Sequence, residues 1–159
     1  EEQNAAIDRG EFILIQDDVK VKVGRGINSF VTTMSGKINT FKKIKIVEAM
    51  DLIHDDIKRT AEDNYVGKYP NSYDNKVLLM VAIQAYFEGL ALDEIVAEDV
   101  TNVTINLAKQ INYLRGKGVN VENMKVKDIK EADTGSNVFL LANTKILDAI
   151  EDIDLEIVI

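Results

Sequence analysis

Apolar and polar residues alternate along the first third of the chain and shift to a helical spacing in its middle. Phe12-Ile13-Leu14-Ile15 is a short apolar run, Gln16-Asp17-Asp18 supplies a turn, and Val19-Lys20-Val21-Lys22-Val23 alternates strictly. Successive side chains of a strand point to opposite faces. The alternation therefore sets three valines on one side and two lysines on the other, as in a sheet that covers a core and meets water. Gly24-Arg25-Gly26 interrupts the pattern, and β-branched and aromatic residues resume it over residues 27–33. These runs predict a β-meander.

From about Thr40, apolar residues recur at Ile46, Met50, Ile53, Ile57, Ala61 and Tyr65, while Glu48, Asp51, Asp55, Lys58, Arg59 and Glu62 lie mostly off that stripe. Spacings of three and four predict an amphipathic helix, stopped by Gly67 and closed by Pro70. Asn71-Ser72 can cap a second helix through about Leu90, and its run Val77-Leu78-Leu79-Met80-Val81-Ala82-Ile83 is apolar on every side. Such a helix is expected to lie buried between layers. Val103, Ile105 and Leu107 alternate with Thr104 and Asn106, predicting a short strand. Asn106 can cap the next helix, which carries Ile111 and Leu114 and ends at Gly116-Lys117-Gly118. A shorter helix is expected over residues 126–132, then a turn at Asp133-Thr134-Gly135-Ser136 and extended chain from Val138 to Leu141. The fold class is α+β: a mixed β-sheet packed with about three to four helices, in one domain spanning residues 1–159, with an extended C-terminal strand.

That last strand stands out. Ile153-Asp154-Leu155-Glu156-Ile157-Val158-Ile159 puts four aliphatics on one face, where chain ends are ordinarily polar and frayed. Two readings follow from the residues. The segment is a strand within its own domain, or an arm that completes a neighbour's sheet by β-augmentation.

Composition narrows the function. The chain has 159 residues, 19 Lys and Arg against 27 Asp and Glu, and a net charge of −8. An acidic balance argues against a general affinity for nucleic acid, which needs cations to displace counterions. Without cysteine there is no disulfide framework, thiol nucleophile or zinc-thiolate site. The longest apolar stretch falls short of the ~20 residues of a membrane span. The opening Glu1-Glu2-Gln3-Asn4 has neither the basic nor the apolar region of a signal peptide. No initiator Met is present, so a piece of a longer cytoplasmic protein is expected.

Candidate chemistry is sparse. His54 is the single histidine, and Lys58 occupies the i+4 position where a second metal ligand would be needed. Asp17-Asp18, Asp55-Asp56 and the run Glu151-Asp152-x-Asp154 fit no calcium loop and read as turns and solvated faces. Gly24-Arg25-Gly26 lacks the third glycine and the strand-loop-helix setting of a phosphate loop, and reads as a break between strands. Asn102-Val103-Thr104 is a glycosylation sequon, which has meaning only in a secreted chain. No catalytic residue, cofactor or metal is expected. The absence favours a structural or interaction protein over an enzyme.

Longer segments carry a resemblance. Arg25-Gly26-Ile27-Asn28-Ser29-Phe30 and Phe41-Lys42-Lys43-Ile44-Lys45-Ile46-Val47-Glu48-Ala49-Met50-Asp51-Leu52-Ile53 resemble the C-terminal domain of contractile tail sheath proteins. So do Glu62-Asp63-Asn64-Tyr65-Val66-Gly67-Lys68, Asn71-Ser72-Tyr73-Asp74-Asn75-Lys76, Glu131-Ala132-Asp133-Thr134-Gly135-Ser136-Asn137-Val138-Phe139-Leu140 and Leu147-Asp148-Ala149-Ile150-Glu151-Asp152-Ile153-Asp154-Leu155. The similarity runs in order from about Gly10 to Ile159, and within the family is nearest to sheaths of Gram-positive prophages and phage-tail-like bacteriocins.

The resemblance implies an assembly role. Sheath subunits stack as hexameric rings in a helical array around an inner tail tube. Triggered by a baseplate, they contract and drive the tube through a target envelope. The C-terminal domain is the inner, tube-proximal layer, and the N-terminal arm and outer domains of the family are absent from this chain. The implied partners are other sheath subunits, the tube protein and the baseplate, with no nucleic acid and no membrane. The implied location is the host bacterial cytoplasm during assembly, then the tail of a released particle. The resemblance makes Ile153, Asp154, Leu155, Glu156, Ile157, Val158 and Ile159 an intersubunit strand. Lys125, Lys127, Asp128, Lys130 and Glu131, on the polar side of the short helix, are the candidate tube contact. The alternative is a non-enzymatic acidic α/β adaptor that binds a partner strand at its edge.

Overall fold

The computed structural model describes residues 2–16, 18–33, 39–99 and 101–158. Asp17 of the expected turn and Ile159 of the expected strand lie outside the described residues. Among the described residues, five α-helices and two antiparallel strand pairs make the fold α+β. The chain divides into two compact units, one formed by Glu1–His54 with Leu147–Ile159 and the other by Asp55–Ile146.

The first unit opens with a helix the sequence reading did not anticipate, α1 (Glu2–Asp8), which turns Ala6 inward and carries Glu2 in its first turn. Strands β1 (Leu14–Gln16) and β2 (Val21–Val23) form a hairpin in the register Leu14↔Val23, Ile15↔Lys22, Gln16↔Val21. Gly24 donates its N–H to the Ile13 carbonyl at 2.9 Å, and a Cβ there would meet Ile13 and Ile15 at 3.0 Å. The meander stops at this point. Residues 27–33 contribute one antiparallel bridge, Ile27↔Lys43, and no third strand. Asn28 supplies the reason. Its Oδ1 accepts from the Phe30 N–H and its Nδ2 donates to the Phe41 carbonyl, both at 2.9 Å, so the side chain offers an alternative to a ladder. The alternating valines depart from expectation too: Val19 is 93% exposed, and Val21 and Val23 are also exposed. A two-stranded hairpin has no second layer, so that face lies open.

A 3₁₀ turn (Asn39–Lys42) leads into α2 (Ile44–Asn64), whose Ile46 and Ala49 are buried one turn apart. After α2, Gly67 takes φ +74°, the left-handed conformation that lets the chain leave the helix without strain.

In the second unit, Ser72 caps α3 (Tyr73–Leu92), its hydroxyl accepting from the Asn75 N–H at 3.3 Å. Burial along α3 is confined to a stripe of Lys76, Phe87 and Leu90, while Leu78, Val81 and Leu92 are exposed. The all-round apolar run is therefore only partly enclosed: Val77, Leu79, Met80, Ala82 and Ile83 are half-buried, and a strand layer packs on one side of the helix. Its Gln84 holds that layer by imitating a strand edge: Nε2 donates to the Thr101 carbonyl at 3.2 Å and Oε1 accepts the Val103 N–H at 3.3 Å. Strand β3 (Asn102–Ile105) pairs antiparallel with β4 (Leu140–Asn143), and a Val96↔Ile146 bridge continues the contact. Asn106 caps α4 (Leu107–Gly116) as its spacing predicts, accepting from the Lys109 N–H at 3.0 Å. Leu114 on α4, Val121, and Ile129 on α5 (Val126–Glu131) form a buried cluster. Buried Gln110 ties α4 to α5 through Nε2, which donates to the Ile129 carbonyl at 2.5 Å.

Residues 147–158 carry no strand, so the reading as a strand within its own domain is not realised. Ile153 and Val158 are each 86% exposed, with Leu155 and Ile157 close behind.

Leu114→Ala removes the centre of a closed cluster and is expected to cost about 2–5 kcal/mol. Leu78→Ala on the open face of α3 is expected to cost at most about 0.5 kcal/mol. Urea unfolding of the two variants beside the parent checks the contrast.

Candidate functional site

The exposed carboxyl-terminal segment leaves the body at a cluster of five charged side chains. The Ile27 bridge sets the backbone of Lys43, just ahead of α2, and Arg25 lies two residues before Ile27 in the link that follows β2. Lys43 Nζ contacts Glu151 Oε2 at 2.5 Å and Asp148 Oδ2 at 3.2 Å. The Arg25 guanidinium donates through Nη1 to Glu151 Oε2 and through Nη2 to Asp152 Oδ1, both at 2.6 Å. Glu151 is thus shared by both cations, and its side chain and that of Lys43 are the more enclosed, 20% and 24% exposed. The chain is fastened at residues 148–152, and the aliphatic run begins with the next residue.

The electrostatics agree with the geometry. The bond from Lys43 holds the Glu151 carboxyl below the ordinary carboxylate range, against partial desolvation and with help from Arg25. The bond from Arg25 lowers Asp152, and the Ala149 N–H, reinforced by Lys43, lowers Asp148. Burial opposes the charge on Lys43, but the bonds to Glu151 and Asp148 outweigh it and raise the ammonium above its ordinary value. The run Glu151-Asp152 is therefore ion-paired, although the Asp152 side chain remains 80% exposed, as a solvated acidic face would be. Arg25 and Lys43 were missed because an arginine between two glycines reads as a chain break and a lysine at a helix start reads as surface. The one available signal was their opposite charge, and nothing in sequence places residues 108 and 127 positions apart side by side.

Ile153, Asp154, Leu155, Glu156, Ile157 and Val158 extend beyond the cluster, all exposed. Lys125, the residue that caps α5, and Lys127, Asp128 and Glu131 on the helix are exposed, and Ile129 is buried. Lys130 is half-buried, and Lys127 reaches Glu131 at 3.8 Å one turn on.

A groove of about 750 Å³ in the second unit is lined by Tyr65, Tyr69, Pro70, Leu79 and Val138, with Asn71 and Lys76 at its polar side. Buried Thr134 organises that side. Its hydroxyl donates to the Asn137 carbonyl at 2.5 Å and accepts from Lys76 Nζ at 3.1 Å and Asn71 Nδ2 at 3.2 Å. Burial lowers the Lys76 ammonium, partly offset by the charge of Asp133. This network closes the 134–137 turn onto the start of α3. Elsewhere Asp56 accepts from the Tyr86 hydroxyl at 2.9 Å, and desolvation followed by that carboxylate pushes the phenol up to about 12. Among the described residues no group of acidic, histidine or cysteine side chains is arranged to hold a metal ion.

The C-terminal segment is thus an exposed aliphatic run rooted in an ion-paired cluster. Residues 37–159 match the family described as phage tail sheath C-terminal domain. The chain is 46% identical over 154 residues to the tail sheath protein of Clostridium phage phiCD119, covering 97% of this chain and 43% of that one. Two solved structures share its fold. The sheath tail protein of Desulfitobacterium hafniense is 22% identical, with TM-score 0.57 over 66% of this chain and 25% of its own length. The sheath tail protein of Listeria innocua is 19% identical, with TM-score 0.52 over 90% of this chain and 32% of its own length. The chain belongs to the phage tail sheath family, in the part that forms the C-terminal domain. It spans less than half the length of the curated relative it matches. Membership implies a structural role rather than a catalytic one.

The depressed carboxylates give the root a defined pH response. They bind protons less readily folded than unfolded, so their stabilisation is present above about pH 4 and is lost as pH falls through the folded values. Lys43 acts in the opposite sense, stabilising until pH rises through its elevated folded value. Carboxyl-detected NMR titration is expected to show Glu151 titrating below the ordinary glutamate range. A midpoint within that range contradicts this.

Proposed function

We propose that this chain is the tube-proximal domain of a sheath subunit that polymerises around an inner tube in the phage tail and contracts to drive the tube through a cell envelope. The observation that carries the reading is the arm itself, aliphatic, exposed and fastened at its base. A segment with this pattern gains little in water and much as an added strand, where ladder bonds give affinity and alternate side chains give register.

The edge of β2 offers the matching pattern. Setting Leu155 of one copy opposite Val21 of another puts Ile153 and Ile157 on the face of Val19 and Val23, and Asp154 and Glu156 opposite Lys20 and Lys22. The match holds for either strand direction, because both strands alternate with period two. Opposite charges across a pair each contribute about 0.2–1 kcal/mol, and the aliphatic side chains about 1.5–3 kcal/mol each when fully covered. Ordering the backbone costs about 1–2 kcal/mol per residue. One arm is therefore a weak tether, and many arms along a polymer are a strong one. Contraction fits this arrangement: bodies move as rigid packed units while the arms keep neighbours joined.

The polar side of α5 is the proposed tube contact, with Lys125, Lys127, Asp128, Lys130 and Glu131 presenting charges that hold by electrostatics and slip when the sheath moves. The tail of an assembled particle is the proposed location, reached from the host cytoplasm.

Removal of residues 153–159 from the complete subunit is expected to abolish tubes in negative-stain micrographs. Lys20→Glu with Lys22→Glu is expected to weaken assembly at least tenfold, and Asp154→Lys with Glu156→Lys in the same chain to restore it. Tubes from the truncated subunit end the proposal. For the tube contact, Lys125→Glu with Lys127→Glu spares half-buried Lys130 and is expected to leave sheath self-assembly intact while reducing co-assembly with the tube protein severalfold in sedimentation. Equal co-assembly removes that assignment.

A further inference from the structure

Arg25 and Lys43 do more than neutralise three carboxylates, because they set where the arm begins. The chain leaves the second unit after Ile146. Among the described residues, no backbone–backbone bond involves residues 147–158. What fastens residues 148–152 is the set of side-chain contacts of Lys43 with Asp148 and Glu151 and of Arg25 with Glu151 and Asp152. Without them the mobile length would start at residue 147 and span about 12 residues, a reach of roughly 40 Å at full extension. With them it starts at residue 153 and spans about six, roughly 20 Å.

We propose that Arg25 and Lys43 are positioning residues for strand exchange: their clasp on residues 148–152 fixes the arm's point of departure, so that it reaches a neighbouring copy at one spacing. The inference rests on the sheath reading and adds a determinant of assembly geometry to it. Its physical content is tether length. Effective concentration falls roughly as the −3/2 power of tether length, so halving the mobile segment raises it about threefold at the right acceptor. The same halving withdraws acceptors that lie beyond the shorter reach. Each connection gains modestly in strength, and the lattice gains in uniformity.

The glycines on either side of Arg25 suit this role. The carbonyls of Arg25 and Gly26 are engaged, accepting from the Ile27 and Ile44 N–H groups at 3.0 and 2.9 Å, so the short link is held at both ends. Lys43 is fixed by the neighbouring bridge to Ile27. Both cations thus hang from backbone that is already hydrogen-bonded to itself, and the clasp is mounted on the body rather than on the arm.

The test uses Arg25→Ala with Lys43→Ala. In this chain, ¹⁵N relaxation is expected to show residues 148–152 gaining the mobility of residues 153–158 in the variant while the rest of the spectrum is unchanged. In the complete subunit, the concentration threshold for tubes is expected to rise about threefold and helical order to be lost in the micrographs. Arg25→Glu combined with Asp152→Arg re-forms one arm of the clasp with reversed charge and is expected to recover most of the order, which a merely misfolded variant would not do. Wild-type subunits that form no tubes overturn the sheath reading. The clasp is overturned separately if residues 148–152 move alike in wild type and variant, or if variant tubes match wild type in threshold and helical repeat.

Discussion

Glu151 accepts from two cations that arrive from different stretches of the first unit, one before the Ile27 bridge and one after it. This shared acceptor is the constraint on which the arm depends, because it joins the last residues of the chain to the first third without a strand or a helix. Exposed ion pairs are worth little one at a time. A network differs, since each carboxylate is already oriented by its neighbour's cation and the side-chain entropy is lost once for several contacts. Enclosure of Glu151 and Lys43 strengthens the attraction further, as screening by water weakens with burial.

What the cluster fastens is a chain that covers its own apolar surface incompletely. The valine face of β2, one side of α3 and the whole arm are open. Scattered exposed aliphatics are ordinary on a monomer, whereas contiguous runs mark surfaces that meet something else. α3 is 20 residues long and apolar enough to cross a membrane by length and composition, yet Lys76 lies buried on its inner side, bonded to Thr134. A lysine engaged in that way ties the helix to a folded protein layer. The open side of α3 is then an exposed apolar face on a helix held in a folded protein layer.

Helix boundaries were the most legible part of the sequence. Ser72 and Asn106 cap where their spacing places them, Gly67 ends a helix segment through a left-handed residue, and the short helix of residues 126–131 stands as predicted. Those signals are local, carried by side chains that bond to backbone three residues away. Burial was read less well. Alternation told which valines share a face but not whether a layer would cover it, and an all-round apolar run told of helix but not of enclosure. The meander failed for a reason visible afterwards in Asn28, whose side chain bonds to two backbone groups and diverts the strand. Ion pairs joining residues more than 100 positions apart are set by the fold, so the clasp left no trace in composition or spacing.

A polar fastening for an apolar arm differs from a packed one in how it responds to displacement. Had the arm root been packed as a hydrophobic core, its position would have been held by many small contacts that are lost together once separated by an ångström or so. Charged groups retain attraction over several ångströms, since Coulomb energy falls only as the inverse of distance. An ion-paired root therefore keeps its hold through small displacements, and in the proposed strand exchange a slip of one residue would turn every aliphatic to the wrong face. Hold at the base and register at the tip are separate physical requirements, and the chemistry changes between them: acids paired with bases up to Asp152, then aliphatics alternating with Asp154 and Glu156.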